Sequence, residues 1–461
     1  GGSRSAAGGV TPSCGSGRAR GGRCGMRPER PAVPAAAAHV AWRCRRHPPR
    51  LPLRGTGGGS PAPRLKRRRS AAGGRALVGA AVAAVLLLAG GFPGGQIDAG
   101  TDAPALAAVP AAAAAVGVPQ PRPPPTVQGA QLETFQVNGL TMRVALAGPE
   151  EGPLVLLIHG WPDLWYGWRF QLPALAAAGY RVAAPDMRGF GGTDAPADAS
   201  EYILPRIEED VLGLLRAIRR DSCVLVGHDF GAKAVFGLGM RNPQVFPALV
   251  SVAVPYLGHK STVSILEEWF GNPRDRDSNF SYILSHQLPE VAAAYDADVR
   301  ECLRTIHGTI PGGDVDSPPK VVSEKQWVDG QPATMLERVG RPKTLPSWLT
   351  EEDLDYYAGE YARRGFAGSL NWYRALDLSY NATRELDGEK IQQPLLVLLG
   401  DADPSISMLF NGIEGVAEGT RALCTGAVEV EVVQGAGHWL HQEAAEAVNR
   451  RLLAFLESTR P

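Results

Sequence analysis

A Gly-His-Asp-Phe-Gly sequence at residues 227–231 could hold a nucleophile on a sharp turn between a strand and a helix. It follows a short apolar run, residues 223–226, and precedes a segment of helical character that includes residues 234–240. Small residues on both sides of the central side chain permit the tight bend that exposes it. The central residue is Asp229. A carboxylate can displace at a saturated carbon and form an ester, whereas a hydroxyl suits attack on a carbonyl.

A second sequence ends the apolar run of residues 154–158 and consists of His159, Gly160, Trp161 and Pro162. In folds with such a nucleophile turn, the loop at this strand end supplies backbone donors to the oxyanion. We therefore expect the N–H groups of Trp161 and Phe230 to face one point beside Asp229. There they would stabilise the tetrahedral intermediate formed when water attacks an Asp229 ester, an effect worth about 3–4 kcal/mol per donor elsewhere.

Two motifs near the C-terminus supply a base and an acid to orient it. His438, between Gly437 and Trp439, follows a predicted strand at residues 428–433. Two carboxylates, Asp401 and Asp403, follow a predicted strand at residues 395–399 and compete for the role of orienting acid. Nucleophile, acid and histidine in this chain order are typical of the same fold.

The surrounding pattern predicts a sheet covered by helices. Residues 132–147 alternate polar and apolar side chains around Asn138-Gly139, which indicates a β-hairpin. Continuous apolar runs bounded by turn residues suit parallel strands buried on both faces. These runs are residues 154–158, 180–184, 223–226, 249–254 and 395–399. Apolar stripes at helical spacing lie between them, and this alternation favours an α/β sheet with helices on both faces.

One interval breaks the alternation of strands and helices. Residues 258–385 are predicted to form helices and loops inserted between two strands, with Thr350 as the cap of one helix. We interpret this insertion as a cap, or lid, over a core formed by residues 130–257 and 386–459.

The chain from about residue 130 to 459 resembles the soluble epoxide hydrolases, especially those of plants. The resemblance is most specific at residues 159–196 and 347–375. It implies an α/β-hydrolase fold with a mostly parallel eight-stranded sheet, helices on both faces and an inserted helical cap. It also implies an enzyme that converts an epoxide to a vicinal diol, with Asp229 as nucleophile and His438 as base.

The resemblance assigns further residues to the site. The family's spacing favours Asp403 over Asp401 as the orienting acid. Two lid tyrosines of the family donate hydrogen bonds to the epoxide oxygen, and by motif they fall on Tyr282 and Tyr373. The chemistry needs such donors because ring opening places negative charge on the departing oxygen. After Tyr282 the sequence at residues 288–290 departs from the family's pattern.

Two other functions use the same framework. A haloalkane or haloacid dehalogenase also forms an aspartyl ester, but its halide commonly needs an indole N–H directly after the nucleophile, where this chain has Phe230. A ligand-binding relative without turnover would usually lack a triad member, and none is missing. The expected partners are a small epoxide and water, with no metal or other cofactor, and the oligomeric state is left open.

The first 129 residues, here called the leader, have a different composition. Residues 1–75 hold 17 of the 47 Lys and Arg but one of the 47 acidic residues, so the rest of the chain is acidic and a nucleic-acid interface is not expected. We expect disorder and a targeting role for residues 1–75, a signal or membrane segment at residues 76–92, and an Ala/Pro-rich linker at residues 93–129. The leader suits an organelle, such as the chloroplast and its thylakoid lumen. The alternative is anchoring to a membrane by residues 76–92.

Overall fold

The described fold starts with a β-hairpin. The computed structural model describes residues 123–259, 266, 282–308, 315–317, 327–328, 331–332, 334–403, 406 and 413–460. Strand β1 (Gln131–Val137) pairs antiparallel with β2 (Leu140–Ala147). Asn138 and Gly139 form the turn with φ of 49° and 76°, the left-handed conformation that an Asn-Gly hairpin turn requires. The predicted hairpin is confirmed.

Six more strands extend this hairpin into one sheet. They are β3 (Leu154–Ile158), β4 (Arg181–Pro185), β5 (Val224–His228), β6 (Leu249–Val252), β7 (Leu395–Gly400) and β8 (Val428–Val433). The strand order is β1-β2-β4-β3-β5-β6-β7-β8, and every pair beyond β4 is parallel. All residues of β3 and β7 are buried, as expected for strands covered on both faces. The mostly parallel eight-stranded sheet is therefore confirmed.

The ends of β4, β5, β6 and β7 differ from the prediction by one or two residues. Strand β5 continues to His228, directly before the predicted nucleophile. Strand β6 stops at Val252, because Ala253 has a φ of 69° and leaves the extended conformation. Positive φ at an alanine is not visible in a pattern of apolar residues.

Helices cover the sheet. Those of the core are α1 (Gln171–Ala177), α2 (Leu204–Ala217), α3 (Phe230–Arg241), α11 (Ile413–Ala422), α12 (Leu440–Glu443) and α13 (Ala445–Ser458), with short 3₁₀ helices at Trp165–Trp168 and Ala199–Tyr202. Helix α2 begins with Pro205 in its first turn and buries a stripe that includes Ile207, Val211 and Leu214. Burial of these stripes stabilises the helices far more than their local propensity does.

The insertion between β6 and β7 contains α4 (Tyr282–Ser285), α5 (Pro289–Asp296), α6 (Val299–Gly308), α7 (Met335–Arg338), α8 (Glu351–Arg364), α9 (Ala367–Arg374), α10 (Leu376–Ala382) and a 3₁₀ helix, Arg384–Leu386. Thr350 caps α8, because its hydroxyl accepts a hydrogen bond from the N–H of Asp353 while the Asp353 carboxylate accepts from the N–H of Thr350.

The insertion also holds two small ladders, Val315–Ser317 with Arg341–Pro342 and Trp327–Val328 with Gln331–Pro332. The sequence analysis predicted only helices and loops here, since strands of two or three residues are too short to show alternation.

Helix α8 ties the insertion to the core by hydrogen bonds. The Tyr166 hydroxyl donates to Asp353 at 2.6 Å, and the Tyr357 hydroxyl donates to Asp163 at 2.6 Å. Several partners are buried, so these bonds form in a medium of low dielectric where they are strong. The insertion is thus held on the core at the side of the sheet where the strands β3 and β5 end.

Residues 1–122, including the predicted membrane segment at 76–92, lie outside the described residues. Within the part of the chain that the structure describes, no helix is long and apolar enough to cross a membrane.

Candidate active site

Asp229 occupies the turn between β5 and α3. Its φ of 53° and ψ of −117° are unusual for a residue with a side chain, and such backbone strain is characteristic of functional sites. The turn is tight because α3 begins against the end of β3. A Cβ at Gly231 would lie 2.0 Å from the carbonyl oxygen of Ile158, so only glycine fits there. The predicted nucleophile turn is present.

The loop at residues 159–162 lies against this turn. A Cβ at Gly160 would lie 2.4 Å from the Cβ of Asp229, so the backbone approaches the carboxylate closely. The N–H of Trp161 donates to Asp229 Oδ1 at 2.9 Å. Phe230 is the first residue of α3, and the first N–H groups of a helix have no partner within it.

The other two residues of that loop shape it. The His159 ring lies 2.8 Å from the Gly160 carbonyl through Nδ1 and accepts from the Met187 N–H through Nε2 at 3.0 Å. Pro162 follows Trp161 through a cis peptide bond. The hydrogen-bond contacts of His159 are thus with backbone groups and not with the carboxylate.

His438 lies between two carboxylates. Its Nδ1 is 2.9 Å from Oδ2 of Asp403, and its Nε2 is 3.7 Å from Oδ2 of Asp229. Asp401 instead accepts a hydrogen bond from the N–H of Gly435 at 2.6 Å. Of the two competing acids, the structure brings Asp403 to the histidine.

The charges of this group are coupled. Burial disfavours the charged imidazolium, but the carboxylates of Asp403 and Asp229 outweigh it and hold the pKa of His438 well above its usual value. Burial raises the pKa of Asp229, but His438 and the Trp161 N–H lower it by more than burial raises it, so the pKa is about 2. Asp229 is therefore ionised at neutral pH and available for attack.

Tyr282 and Tyr373 lie close to each other in the insertion. Tyr282 begins α4 and Tyr373 lies near the end of α9, and their rings are 6.1 Å apart at 77°. Burial is the main cause that raises the pKa of both phenols, and the negative charge of Asp229 raises both further, so both keep their protons. The two predicted donors are brought together.

Two residues that the sequence analysis did not single out connect these tyrosines. Gln287 donates to the carbonyl of Tyr373 at 3.1 Å and to the carbonyl of Ile283, one residue after Tyr282. The His286 ring packs 4.4 Å from the ring of Tyr373 and 5.3 Å from that of Tyr282. Both follow Tyr282 within one and a half helical turns, and that spacing is the signal that could have identified them.

Aromatic rings surround the carboxylate and the phenols. The Phe230 ring makes an edge-on contact with Tyr373 at 4.6 Å, and the Trp161 ring does so at 5.5 Å. The Trp161 indole donates to the hydroxyl of Ser369 in the insertion at 3.2 Å. The site is therefore largely apolar, with its polar atoms concentrated on the groups described above.

Among the described residues, one group of possible metal ligands occurs near the site: Asp163, His228 and His441, all buried. Asp163 accepts from the N–H of Leu164 at 2.8 Å as well as from Tyr357, and its Oδ2 lies 3.5 Å from Nε2 of His441. The His228 Nε2 lies 2.9 Å from the His438 carbonyl. These bonds give the three side chains a structural role, so we assign no metal to them.

Comparison with known proteins places these observations in a family. A family model described as the alpha/beta hydrolase fold matches residues 153–305. Epoxide hydrolase A of Mycobacterium tuberculosis is 37% identical over 333 residues, which cover 71% of this chain and 98% of that protein. Epoxide hydrolase 1 of Siraitia grosvenorii is 35% identical over 329 residues, covering 70% of this chain and 97% of that protein.

Solved structures agree with the sequence relatives. Epoxide hydrolase A from Mycobacterium thermoresistibile matches with a TM-score of 0.63 at 35% identity, covering 71% of this chain and 98% of that one. An epoxide hydrolase from Vigna radiata matches with a TM-score of 0.62 at 31% identity, covering 72% and 99%. The similarity extends over nearly the whole length of bacterial and plant proteins alike.

Proposed function

The chain belongs to the epoxide hydrolases of the α/β-hydrolase fold, and from this premise we propose that it hydrolyses its epoxide in two steps through an ester on Asp229. The observation that carries this proposal is the series of contacts Asp229–His438–Asp403, at 3.7 Å and 2.9 Å. A nucleophile, a base and an orienting acid in one series can form a covalent intermediate and then remove it.

In the first step, Asp229 attacks one carbon of the epoxide and the bond between that carbon and the ring oxygen breaks. Since Oδ1 already accepts from the Trp161 N–H, Oδ2 is the oxygen we assign to the attack. Tyr282 and Tyr373 donate hydrogen bonds to the ring oxygen, and one of the two phenols transfers its proton to that oxygen as the bond breaks. The oxygen becomes a hydroxyl on the neighbouring carbon, and the phenol is left as a phenolate until the second step returns its proton.

In the second step, His438 removes a proton from water, which attacks the carbonyl carbon of the ester. Formation of the ester removes the charge of Asp229, one of the two carboxylates that raise the pKa of His438. The imidazole therefore becomes easier to deprotonate when a base is needed. The N–H groups of Trp161 and Phe230 stabilise the resulting oxyanion. When the intermediate collapses, the bond between the carbonyl carbon and the diol oxygen breaks, that oxygen takes the proton held by His438, and the vicinal diol is released. The new carboxyl group gives its proton to the phenolate, so the carboxylate, the imidazole and the phenol are all restored.

Single turnover in heavy-oxygen water tests this route. The oxygen of the attacking water ends in the carboxylate, so mass spectrometry of the peptide that contains Asp229 should show the label in the enzyme after one turnover. The diol of that turnover should carry the unlabelled oxygen from Asp229. A labelled diol with an unmarked enzyme would refute the ester and favour direct attack of water.

A further inference from the structure

The loop that carries His438 is wrapped around a carboxylate from the next helix. Glu443, the last residue of α12, accepts a hydrogen bond from the N–H of Gly437 at 2.6 Å and another from the N–H of Trp439 at 2.8 Å. One carboxylate thus binds the backbone on both sides of the histidine. A Cβ at Gly437 would lie 3.2 Å and 3.3 Å from the two carboxylate oxygens, so glycine permits this close approach.

A second side chain contacts the backbone of the histidine itself. The His228 Nε2 lies 2.9 Å from the carbonyl oxygen of His438. His228 is fully buried at the end of β5, directly before Asp229. A carbonyl can only accept, so the His228 ring carries its proton on Nε2 and donates it. His228 therefore links the backbone of the histidine to the strand that carries the nucleophile.

We propose that Glu443 is a positioning residue, which acts with His228 to fix the imidazole of His438 against the Asp229 ester. This inference rests on the two-step reaction proposed above. Among the residues that the structure describes, the side-chain hydrogen bond that holds the His438 ring is the 2.9 Å contact between Nδ1 and Asp403. That contact fixes the tilt of the ring, whereas the distance from Nε2 to Asp229 also depends on where the backbone lies.

The distance between His438 Nε2 and Asp229 shows why the position of the His438 backbone is important. Nε2 lies 3.7 Å from Oδ2 of Asp229, and a reacting water must contact both the imidazole and the ester carbon. A misplacement of about 1 Å in such an arrangement can cost about 100-fold in rate. Three hydrogen bonds, two to Glu443 and one from His228, oppose that movement.

Glu443 should affect the rate of ester hydrolysis and not the rate of ring opening. Attack by Asp229 on the epoxide transfers no proton to His438, so ring opening does not need the exact place of the imidazole. Ester hydrolysis, in contrast, depends on the position of the imidazole, because the imidazole must contact the reacting water. A change at Glu443 should therefore slow the second step and leave the first nearly unchanged, which a general loss of stability would not do.

Two substitutions at one position separate hydrogen bonding from charge. Glu443→Gln removes the charge but keeps one acceptor oxygen, and Glu443→Met removes the charge and both acceptors at similar length. Hydrogen bonds to charged groups are stronger than those between neutral groups. We expect ester hydrolysis to slow about 10-fold in the Gln variant and about 100-fold in the Met variant. Glu446→Gln, on the exposed first turn of α13, is the matched control and should behave as wild type.

The experiment is a rapid-quench single turnover with an epoxide that the wild-type protein turns over, read by mass spectrometry of the Asp229 peptide. It gives separate rates for formation and loss of the ester, and thermal unfolding is measured beside it. His228→Gln keeps a donor at the same distance along the side chain and His228→Leu removes it, so faster ester loss in the Gln variant would support the role of His228.

Each result decides the matter. A wild-type protein that never forms the ester refutes the two-step reaction, and this inference with it. If wild type forms the ester and both Glu443 variants hydrolyse it at the wild-type rate, the positioning role alone is wrong. Equal slowing by Gln and Met would also overturn it, because charge and not the acceptor atoms would then be responsible. Should Glu443→Met fail to fold, Glu443→Gln against Glu446→Gln decides alone.

Discussion

Replacing Tyr373 by phenylalanine removes one hydroxyl and almost no volume. The ring is 3% exposed and held by edge-on contacts with Phe230 at 4.6 Å and His286 at 4.4 Å. Those contacts involve the ring and survive the substitution. The variant should therefore fold as wild type does, with a change in unfolding free energy below about 1 kcal/mol.

The effect on catalysis follows from what the hydroxyl faces. A donor aimed at a developing oxyanion is worth about 2.7–4 kcal/mol, which corresponds to about 10²–10³ in rate. Tyr282 remains beside the substrate and compensates in part, so we expect ring opening to slow about 100-fold in Tyr373→Phe. Ester hydrolysis should change less than about threefold, because the ring oxygen is already a hydroxyl at that stage.

Rapid-quench single turnover measures both steps in this variant. Tyr180→Phe is the control, because Tyr180 lies just before β4 with its ring under the Arg460 guanidinium, away from the site. Equal slowing of ring opening and ester hydrolysis, or no slowing of either, would contradict the role assigned to Tyr373. So would a large loss of stability, since the contacts of the ring would then depend on the hydroxyl.

Four further outcomes are expected. His438→Gln should form the ester at close to the wild-type rate and then stall, seen as a lasting mass increase of the enzyme; normal turnover would exclude the histidine as base. Lowering the pH from about 8 to about 5 should slow ester hydrolysis, because His438 must be neutral to act as the base. The same change should not slow ring opening, because the pKa of Asp229 is about 2, and the rates of both steps measured against pH check this. Gly231→Ala places a Cβ 2.0 Å from the Ile158 carbonyl oxygen, so urea unfolding should show a loss of about 3 kcal/mol in stability. Gly419→Ala, which has open space around the added Cβ, is the control and should not destabilise the protein. We propose that the leader directs the protein to an organelle; a leader fused to a fluorescent protein in a photosynthetic cell should reach the chloroplast, and diffuse fluorescence would refute this.

Features that obey local rules can be predicted from residue types and their spacing alone. The Asn138-Gly139 hairpin, the Gly-flanked turn at Asp229 and the cap of α8 at Thr350 each need particular residue types within a few positions, so they can be recognised without a structure. The buried runs of β3 and β7 follow likewise from continuous apolar composition. The carboxylate of Asp229 at the centre of the turn indicates the reaction class, and the order of the motifs along the chain indicates the fold.

Which distant groups meet depends on how separate elements pack in the folded chain. Asp401 and Asp403 are both carboxylates after the same strand, and only the path of the loop brings Asp403 to His438 while Asp401 binds Gly435. The hydrogen bonds from the N–H groups of Gly437 and Trp439 to Glu443 could not be predicted from the sequence either, since a glutamate at a helix end is usually solvated. Such contacts depend on angstrom-scale packing between separate elements, and residue type and spacing do not encode that packing in any local pattern.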